Sequence, residues 1–325
     1  MPVLFNLLKP GPSGRVLALP LAMATLWALS ACTPSGPNVL KFGDFAVVSM
    51  DKDEDTASLA EDFLGDADMD WAIEDYNANA NPTPGTKLVI PLHPPGRGGV
   101  RSDAYQTIPV VRYTGINKGT FAQHMGFLDA KGYNVMRVKD LFDFMSDYKY
   151  TPKRSVVITI DSDDDDVYKS AFPILKAKGF PATVFVTGKN LGKKGHLNAK
   201  QIKDMVAAGV DVQCSSNSGA DLSRPSGKEN FAKYVARLQK EIDATKSVVK
   251  KFGGSCNLMA YPGGNTSPFL VSQLKKEGFD GGFTTQGGSN GFFVNPFFFY
   301  RNTVSQSADV GQFQRALISY SDKAL

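Results

Sequence analysis

From Ile108 onward, short runs of β-branched and aromatic residues alternate with longer stretches in which apolar residues recur every three or four positions. IPVVRY, SVVITI, ATVFVT, VDVQCS, CNLMAY and GGFTT have the length and composition of strands. Between most of them FAQHMGFLDAKG, VYKSAFPILKAKG, AKQIKDMVAAG, ENFAKYVARLQKEIDATKSVVKKFGG and PFLVSQLKKEG read as helices, several ending in Lys-Gly or Ala-Gly. In the longest, Phe231, Tyr234, Val235, Leu238, Ile242 and Val249 fall on one stripe, and Gly253 supplies a stop. This alternation predicts an α/β fold, a parallel sheet covered by helices. Six or more repeats favour a barrel over an open sheet, with function where the strands run out at their C-terminal ends.

Ahead of this region, residues 45–92 form a smaller pattern. FAVVSM reads as a strand, TASLAEDFLG and DWAIEDYNAN as helices, and TKLVIPL as a strand, in the order βααβ. The unit resembles a lysin motif (LysM) in Asp55-Thr56, Leu59-Ala60, Phe63-Leu64-Gly65, Trp71, Ile73, Asn77 and the run from Pro84 to Pro91. Glu54 stands where that family usually has a glycine, a departure at the first loop of its sugar groove. The resemblance implies glycan binding, with Thr56 and Asn77 as candidate contacts; a purely structural βααβ unit is the alternative.

Two segments flank this unit. Residues 93–107, HPPGRGGVRSDAYQT, have the composition of a linker, and residues 32–44, beginning CTPSGPN, that of a tether. Residues 1–31 carry basic Lys9 and Arg15, then an apolar run from Val16 to Ala31 that is shorter than the ~20 residues a spanning helix needs. Leu29-Ser30-Ala31-Cys32 resembles the lipobox of bacterial lipoproteins. This implies a signal peptide over 1–31, a lipid-modified Cys32, and export to the cell envelope with a membrane anchor. Thr33 is not the aspartate that resembles an inner-membrane retention signal in Gram-negative lipoproteins, so the outer membrane is the expected location, facing the periplasm or the cell surface.

Composition adds little to this picture. The 325 residues are 42% hydrophobic with 22 Phe and 11 Tyr, enough for a sizeable core, and the formal charge is +4. Loss of Lys9 and Arg15 with the signal leaves 34 of the 36 basic residues against 32 acidic ones, scattered rather than striped, which excludes nucleic acid as a partner. Cys214 and Cys256 remain, and sequence leaves open whether they pair or stay as buried thiols.

The candidate chemistry centres on TIDSDDDDVY, which puts five aspartates in six positions directly after an apolar strand. Such a run either is a solvated acidic loop or holds a hard cation. Asp166 occupies the position where an EF-hand loop needs glycine. The three histidines are His93 in the linker, His124 within a predicted helix and His196 in a Lys- and Gly-rich loop; none is placed at a strand C-terminus.

The segments SVVITIDS…VYKSAFPILKAKGFPATVFVTG, GVDVQCSSNSGADLSR, LMAYPGGN and FTTQGGSNGFFVNPFFFYRNTV resemble the polysaccharide deacetylases of carbohydrate esterase family 4, the NodB-homology domain, over residues 108–310. The resemblance implies a distorted (β/α) barrel from 108 to the end of the chain. It also implies metal-dependent amide hydrolysis, in which a T-F-D-D-G motif supplies a base and a metal carboxylate and H-[ST]-x-x-H supplies two imidazoles. Here Asp161 falls on the base position, but Ser162, Ser215 and Gly219 stand on the three ligand positions, and Thr114 follows Tyr113 where the family has histidine. Arg301 falls on a basic position beside the family's base. Tyr261 belongs to a motif in which Gly263 replaces an aromatic, and is a further candidate glycan contact. The aromatic run from Phe292 to Tyr300 is expected mostly to pack against the barrel.

Two functions follow from the resemblance. One is a non-catalytic deacetylase homologue without cofactor, binding peptidoglycan, another N-acetylated glycan or an envelope protein. The other is an active N-deacetylase with Asp161 as base and a divalent cation held by Asp163, Asp164, Asp165 and Asp166.

Overall fold

A computed structural model describes residues 38–50, 55–77, 83–92, 106–146, 151–152 and 154–317. The signal segment, the lipid-anchor candidate Cys32, Thr33, Glu54 and His93 lie outside the described residues. Among those described, no helix is long and apolar enough to cross a membrane.

The N-terminal unit contains β1 (Asn38–Phe42), β2 (Phe45–Ser49), α1 (Thr56–Leu64), α2 (Asp70–Tyr76) and β3 (Lys87–Pro91). The expected βααβ order is present, but β1 adds a third antiparallel strand beside β2 inside the segment read as a tether. A period of two explains β2, where Ala46 and Val48 point inward to meet Leu59, Ile73, Leu88 and Ile90. Helix α1 starts where the Asp55 carboxylate accepts the Ser58 N–H at 2.7 Å.

The second unit runs β4 (Ile108–Tyr113), α3 (Lys118–Ala130), β5 (Asn134–Met136), α4 (Val138–Ser146), β6 (Ser155–Asp161), α5 (Phe172–Lys178), β7 (Ala182–Val186), α6 (Ala199–Ala207), β8 (Val210–Cys214), α7 (Phe231–Phe252), β9 (Leu258–Ala260), α8 (Pro268–Lys276), β10 (Gly281–Phe283), β11 (Ser289–Asn290), β12 (Asn302–Thr303) and α9 (Val310–Arg315). The parallel order is β10-β9-β8-β7-β6-β4. Strands β6 and β7 are buried at every position except Asp161, so they read as continuous apolar runs rather than alternating ones.

The sheet curls, and the segment from Phe299 to Thr303 bridges its two ends. Phe299 pairs with Phe283 of β10, while β12 pairs with Val111 and Arg112 of β4. Arg301 lies on that bridging segment, and its side chain therefore enters the barrel. The fold is the distorted α/β barrel expected from the sequence.

One further detail differs from expectation, and one left open by the sequence is decided. Phe231 is 61% exposed rather than part of the buried stripe of α7, which runs through Tyr234, Leu238, Ile242, Thr245 and Val249. Of the two readings for the cysteines, the thiol reading fails: Cys214 and Cys256 form a disulfide with Cα atoms 5.2 Å apart, tying the end of β8 to the approach to β9.

Candidate functional site

The C-terminal ends of the strands gather the residues singled out in sequence. Asp161 is the last residue of β6, and both its carboxylate oxygens are held by guanidinium groups. Arg301 donates from Nη1 to Oδ1 at 2.6 Å and from Nη2 to Oδ2 at 2.8 Å. Arg112 of β4 donates from Nε to Oδ2 at 2.6 Å. Arg301 is fully buried; its Nε donates to the Thr284 carbonyl at 2.8 Å, and its guanidinium lies over the adjoining rings of Phe185 and Phe283. Burial pushes the Arg301 guanidinium below its ordinary pKa, and Asp161 opposes that shift. The geometry is that of a forked, charge-assisted clamp.

The three ligand positions are occupied otherwise. Ser162 Oγ donates to Asp164 Oδ2 at 3.3 Å, and Ser215 Oγ donates to the Ala260 carbonyl at 3.0 Å. Gly219 has no side chain and sits at φ +81°, a conformation that a histidine would adopt only under strain. These residues do not fit the family's metal.

The acidic run is only partly the solvated loop that was one of its readings. Asp164 and Asp166 are exposed and Asp165 pairs with Lys169, but Asp163 is 8% exposed. The Asp163 carboxylate accepts the Thr187 N–H at 3.1 Å, the Asn190 amide at 3.2 Å, and a bond from His196 Nδ1 at 2.8 Å. His196 thus stands among strand-end loops, contrary to its placement from sequence. Its loop is zipped onto the acidic one: Leu197 N–H donates to the Asp163 carbonyl at 2.8 Å, and Asp165 N–H to the Gly195 carbonyl at 2.9 Å.

The signal that could have found His196 is strand adjacency, because the loops after β6 and β7 are neighbours in a parallel barrel. Asp163, Asp164 and His196 each place a donor atom within 4.8 Å of the others. His196 Nδ1 lies 2.8 Å from Asp163 Oδ1 and 3.4 Å from Asp164 Oδ1, spacings that suit ligands of one ion and equally a hydrogen-bonded imidazole–carboxylate pair.

The three glycan candidates each carry structural contacts. Tyr261 is 2% exposed, its hydroxyl donates to the Phe297 carbonyl at 3.0 Å, and burial pushes its pKa up to about 12. A Cβ on Gly282 would run into that hydroxyl, so the ring belongs to the core and offers no face to a sugar. Asn77 is spent on backbone: its amide donates to the Ile73 and Val89 carbonyls at 2.6 and 2.8 Å and accepts the Val89 N–H at 2.9 Å, pinning α2 to β3. Thr56 is buried at the start of α1, with its hydroxyl donating to Glu74.

Buried His124 bonds the Tyr113 hydroxyl and the Ala308 carbonyl and stacks on Phe313, a structural role. In the aromatic run, Phe297 and Phe299 are buried as expected, whereas Phe293 is 58% exposed.

A curled parallel sheet whose ends are bridged by the segment from Phe299 to Thr303 defines an α/β-barrel protein. Residues 148–282 match the family model for polysaccharide deacetylase. The poly-beta-1,6-N-acetyl-D-glucosamine N-deacetylase of Staphylococcus aureus (strain MRSA252) is 25% identical over 178 residues, which span 53% of this chain and 61% of that enzyme. YxkH of Bacillus subtilis (strain 168) is 25% identical over 198 residues, 58% of this chain and 68% of the relative. Among solved structures, the Streptococcus pyogenes deacetylase PplD superposes with a TM-score of 0.57 at 19% identity, covering 65% of this chain and 98% of PplD. IcaB from Ammonifex degensii gives 0.55 at 24% identity, covering 65% and 96%. At these identities the structural likeness speaks for the fold alone.

Proposed function

We propose that the barrel keeps the deacetylase architecture without its hydrolytic chemistry, and that the chain serves as a glycan- or partner-binding protein of the cell envelope. The observation that carries this reading is the state of the three ligand positions. Ser162 and Ser215 spend their hydroxyls on Asp164 and on the Ala260 carbonyl, and Gly219 has no side chain, so none of the three offers the carboxylate or imidazole that a metal-bound water needs. Asp161 is itself engaged, accepting three short bonds from Arg112 and Arg301. The lysin-motif-like unit would supply affinity for peptidoglycan or another N-acetylated glycan, and a lipid-modified Cys32 would hold the protein at the membrane.

The assay is acetate release from peptidoglycan and from N-acetylglucosamine polymers, the substrate class in the name of the staphylococcal relative, with wild type and Asp161→Asn side by side. Equal background for both is the expected result. Metal-dependent release that disappears with Asp161→Asn overturns the reading.

A second reading rests on the spacing of Asp163, Asp164 and His196: an active N-deacetylase whose cation has moved to these residues. Under it, His196→Ala abolishes release as completely as Asp161→Asn does. Retention of the full chain on insoluble peptidoglycan or chitin checks the binding role, and failure on both polymers points to a protein partner.

A further inference from the structure

The barrel has a second end. Asp211 is the second residue of β8, Asn257 immediately precedes β9 and Asp280 immediately precedes β10, so their side chains gather at the N-terminal ends of the strands, opposite Asp161. They line an open cavity of about 480 Å³ with Phe142 and Leu258 among its apolar walls.

Gln213, 3% exposed, organises the polar side of this cavity. Its Nε2 donates to Asp211 Oδ2 at 2.9 Å and to Asn257 Oδ1 at 2.8 Å, and its Oε1 accepts the N–H groups of Asn257 and Leu258, each at 3.1 Å. Asn257 in turn donates from Nδ2 to Asp280 Oδ2 at 2.6 Å. Both N–H donors of Gln213 and one of the two of Asn257 are thereby committed within the chain of side chains. What the cavity has left to offer is chiefly the spare acceptor capacity of two carboxylates, each able to take about four bonds.

Burial pushes the Asp211 carboxyl above the usual carboxylate range, with the bonds from Gln213 and the Val212 N–H opposing. A charge held this way works against folding rather than for it. It is therefore poorly explained as a stabilising device, although stability is the usual role of residues at this end of a barrel. Phe142 is fixed in place: its ring meets Phe299 edge-on at 5.4 Å, and a Cβ on Gly281 would come within 2.7 Å of it.

The ligand class follows by exclusion. Asp143, Asp211 and Asp280 outnumber Lys139, which pairs with Asp143, so the cavity repels anions. A single metal ion does not match either, because the only group of three His, Cys, Asp or Glu donors within 4.8 Å among the described residues is Asp163, Asp164 and His196. The remaining match is an extended ligand with several hydrogen-bond donors, positive charge and one apolar face.

We propose that this cavity binds a protonated amino sugar, its ammonium at Asp211, its hydroxyls at Asp280 and its ring face on Phe142. The volume suits one or two sugar rings, and Phe142 supplies the apolar wall on which the C–H face of a ring packs. The site is independent of whether the barrel hydrolyses amides.

Ligand-observed NMR titration of the full chain with D-glucosamine tests it, with circular dichroism as a check on folding. The expected dissociation constant is on the order of 1 mM, weakened about tenfold by Asp211→Asn and by Asp280→Asn. N-acetyl-D-glucosamine, which lacks the ammonium, should not displace the bound glucosamine. Asp280 is exposed, so its variant keeps the test valid if Asp211→Asn fails to fold. Wild-type affinity in Asp280→Asn overturns the proposal, as does displacement by equimolar N-acetyl-D-glucosamine. Equal displacement by lysine amide overturns it in favour of a basic protein side chain.

Discussion

Replacing Arg301 by methionine removes the buried guanidinium while keeping side-chain length against Phe185 and Phe283. Four bonds are lost: two to Asp161, one to the Thr284 carbonyl and a longer one, at 3.4 Å, to Thr159 Oγ1, which keeps its own bond to the Val111 carbonyl. Breaking a buried ion pair from one side costs about 3–5 kcal/mol. Arg112 still neutralises Asp161 from 2.6 Å, and the Asp161 side chain keeps 18% exposure, so the low end applies, about 3 kcal/mol. The orphaned Thr284 carbonyl adds about 1 kcal/mol. A total of about 4 kcal/mol lowers Tm by roughly 8–16 °C for a domain of this size.

Arg112→Met, at a position with 17% side-chain exposure, should cost less than half as much. In Arg301→Met/Arg112→Met/Asp161→Leu all three charges are gone, and at least half of the stability lost in Arg301→Met should return, since apolar replacement of a whole buried ionic group is often neutral. Urea unfolding of the four proteins at pH 7 measures all these values. An Arg301→Met variant within about 1 kcal/mol of wild type, or a triple variant no better than the single, would refute the clamp as a structural element.

Three other outcomes are expected. Cys214→Ser/Cys256→Ser opens a loop with a sequence separation of 42 residues, which costs about 4 kcal/mol by chain entropy; a matching fall in Tm on reduction of wild type checks it. His124 is buried with its pKa held below 6.5 chiefly by desolvation, so stability is fully present above that pH and falls as pH drops below it, when the unfolded chain takes up a proton first. Urea midpoints at pH 7.5 and 5 should differ by more for wild type than for His124→Gln. Ser162→Asp/Ser215→His/Gly219→His restores the family's ligand types, but the left-handed backbone at 219 costs roughly 1–2 kcal/mol. Zinc binding by calorimetry should accordingly appear in Ser162→Asp/Ser215→His/Gly219→His with reduced thermal stability, and not in wild type at the same three positions.

Much of this architecture was legible because the physics acting on it is local. Strands β6 and β7 announce themselves as apolar runs since both of their faces are covered, and α7 shows its stripe because one face packs and the other meets water. The three-residue β5 is too short to show a period, and β1 lies at a sheet edge with Val39, Leu40 and Phe42 exposed, so its apolar residues mark no buried face. At the site, chain position alone placed Asp161 and Arg301 on the motif, and the bridge between β10 and β4 explains why they meet. His196 was missed because its bond to Asp163 joins two irregular loops, where no periodicity exists to read. Tyr261 was misread because its motif position gives no sign of whether the ring faces in or out; that is decided by the close approach of Gly282.

The bridging segment from Phe299 to Thr303 also fixes an order of events. The bonds that Arg112 and Arg301 make to Asp161 span 49 and 140 residues of chain. A polypeptide emerging N-terminus first can join the first pair early, while the second must wait for nearly the whole barrel sequence. Closure therefore belongs to the late, non-local part of folding, which is intrinsically slow. Until it happens, β10 and the Val111–Arg112 end of β4 are open edges exposed to other chains. Proteolysis or truncation just ahead of residue 299 should leave a curled but unclosed sheet prone to self-association, with Asp161 held by a single guanidinium.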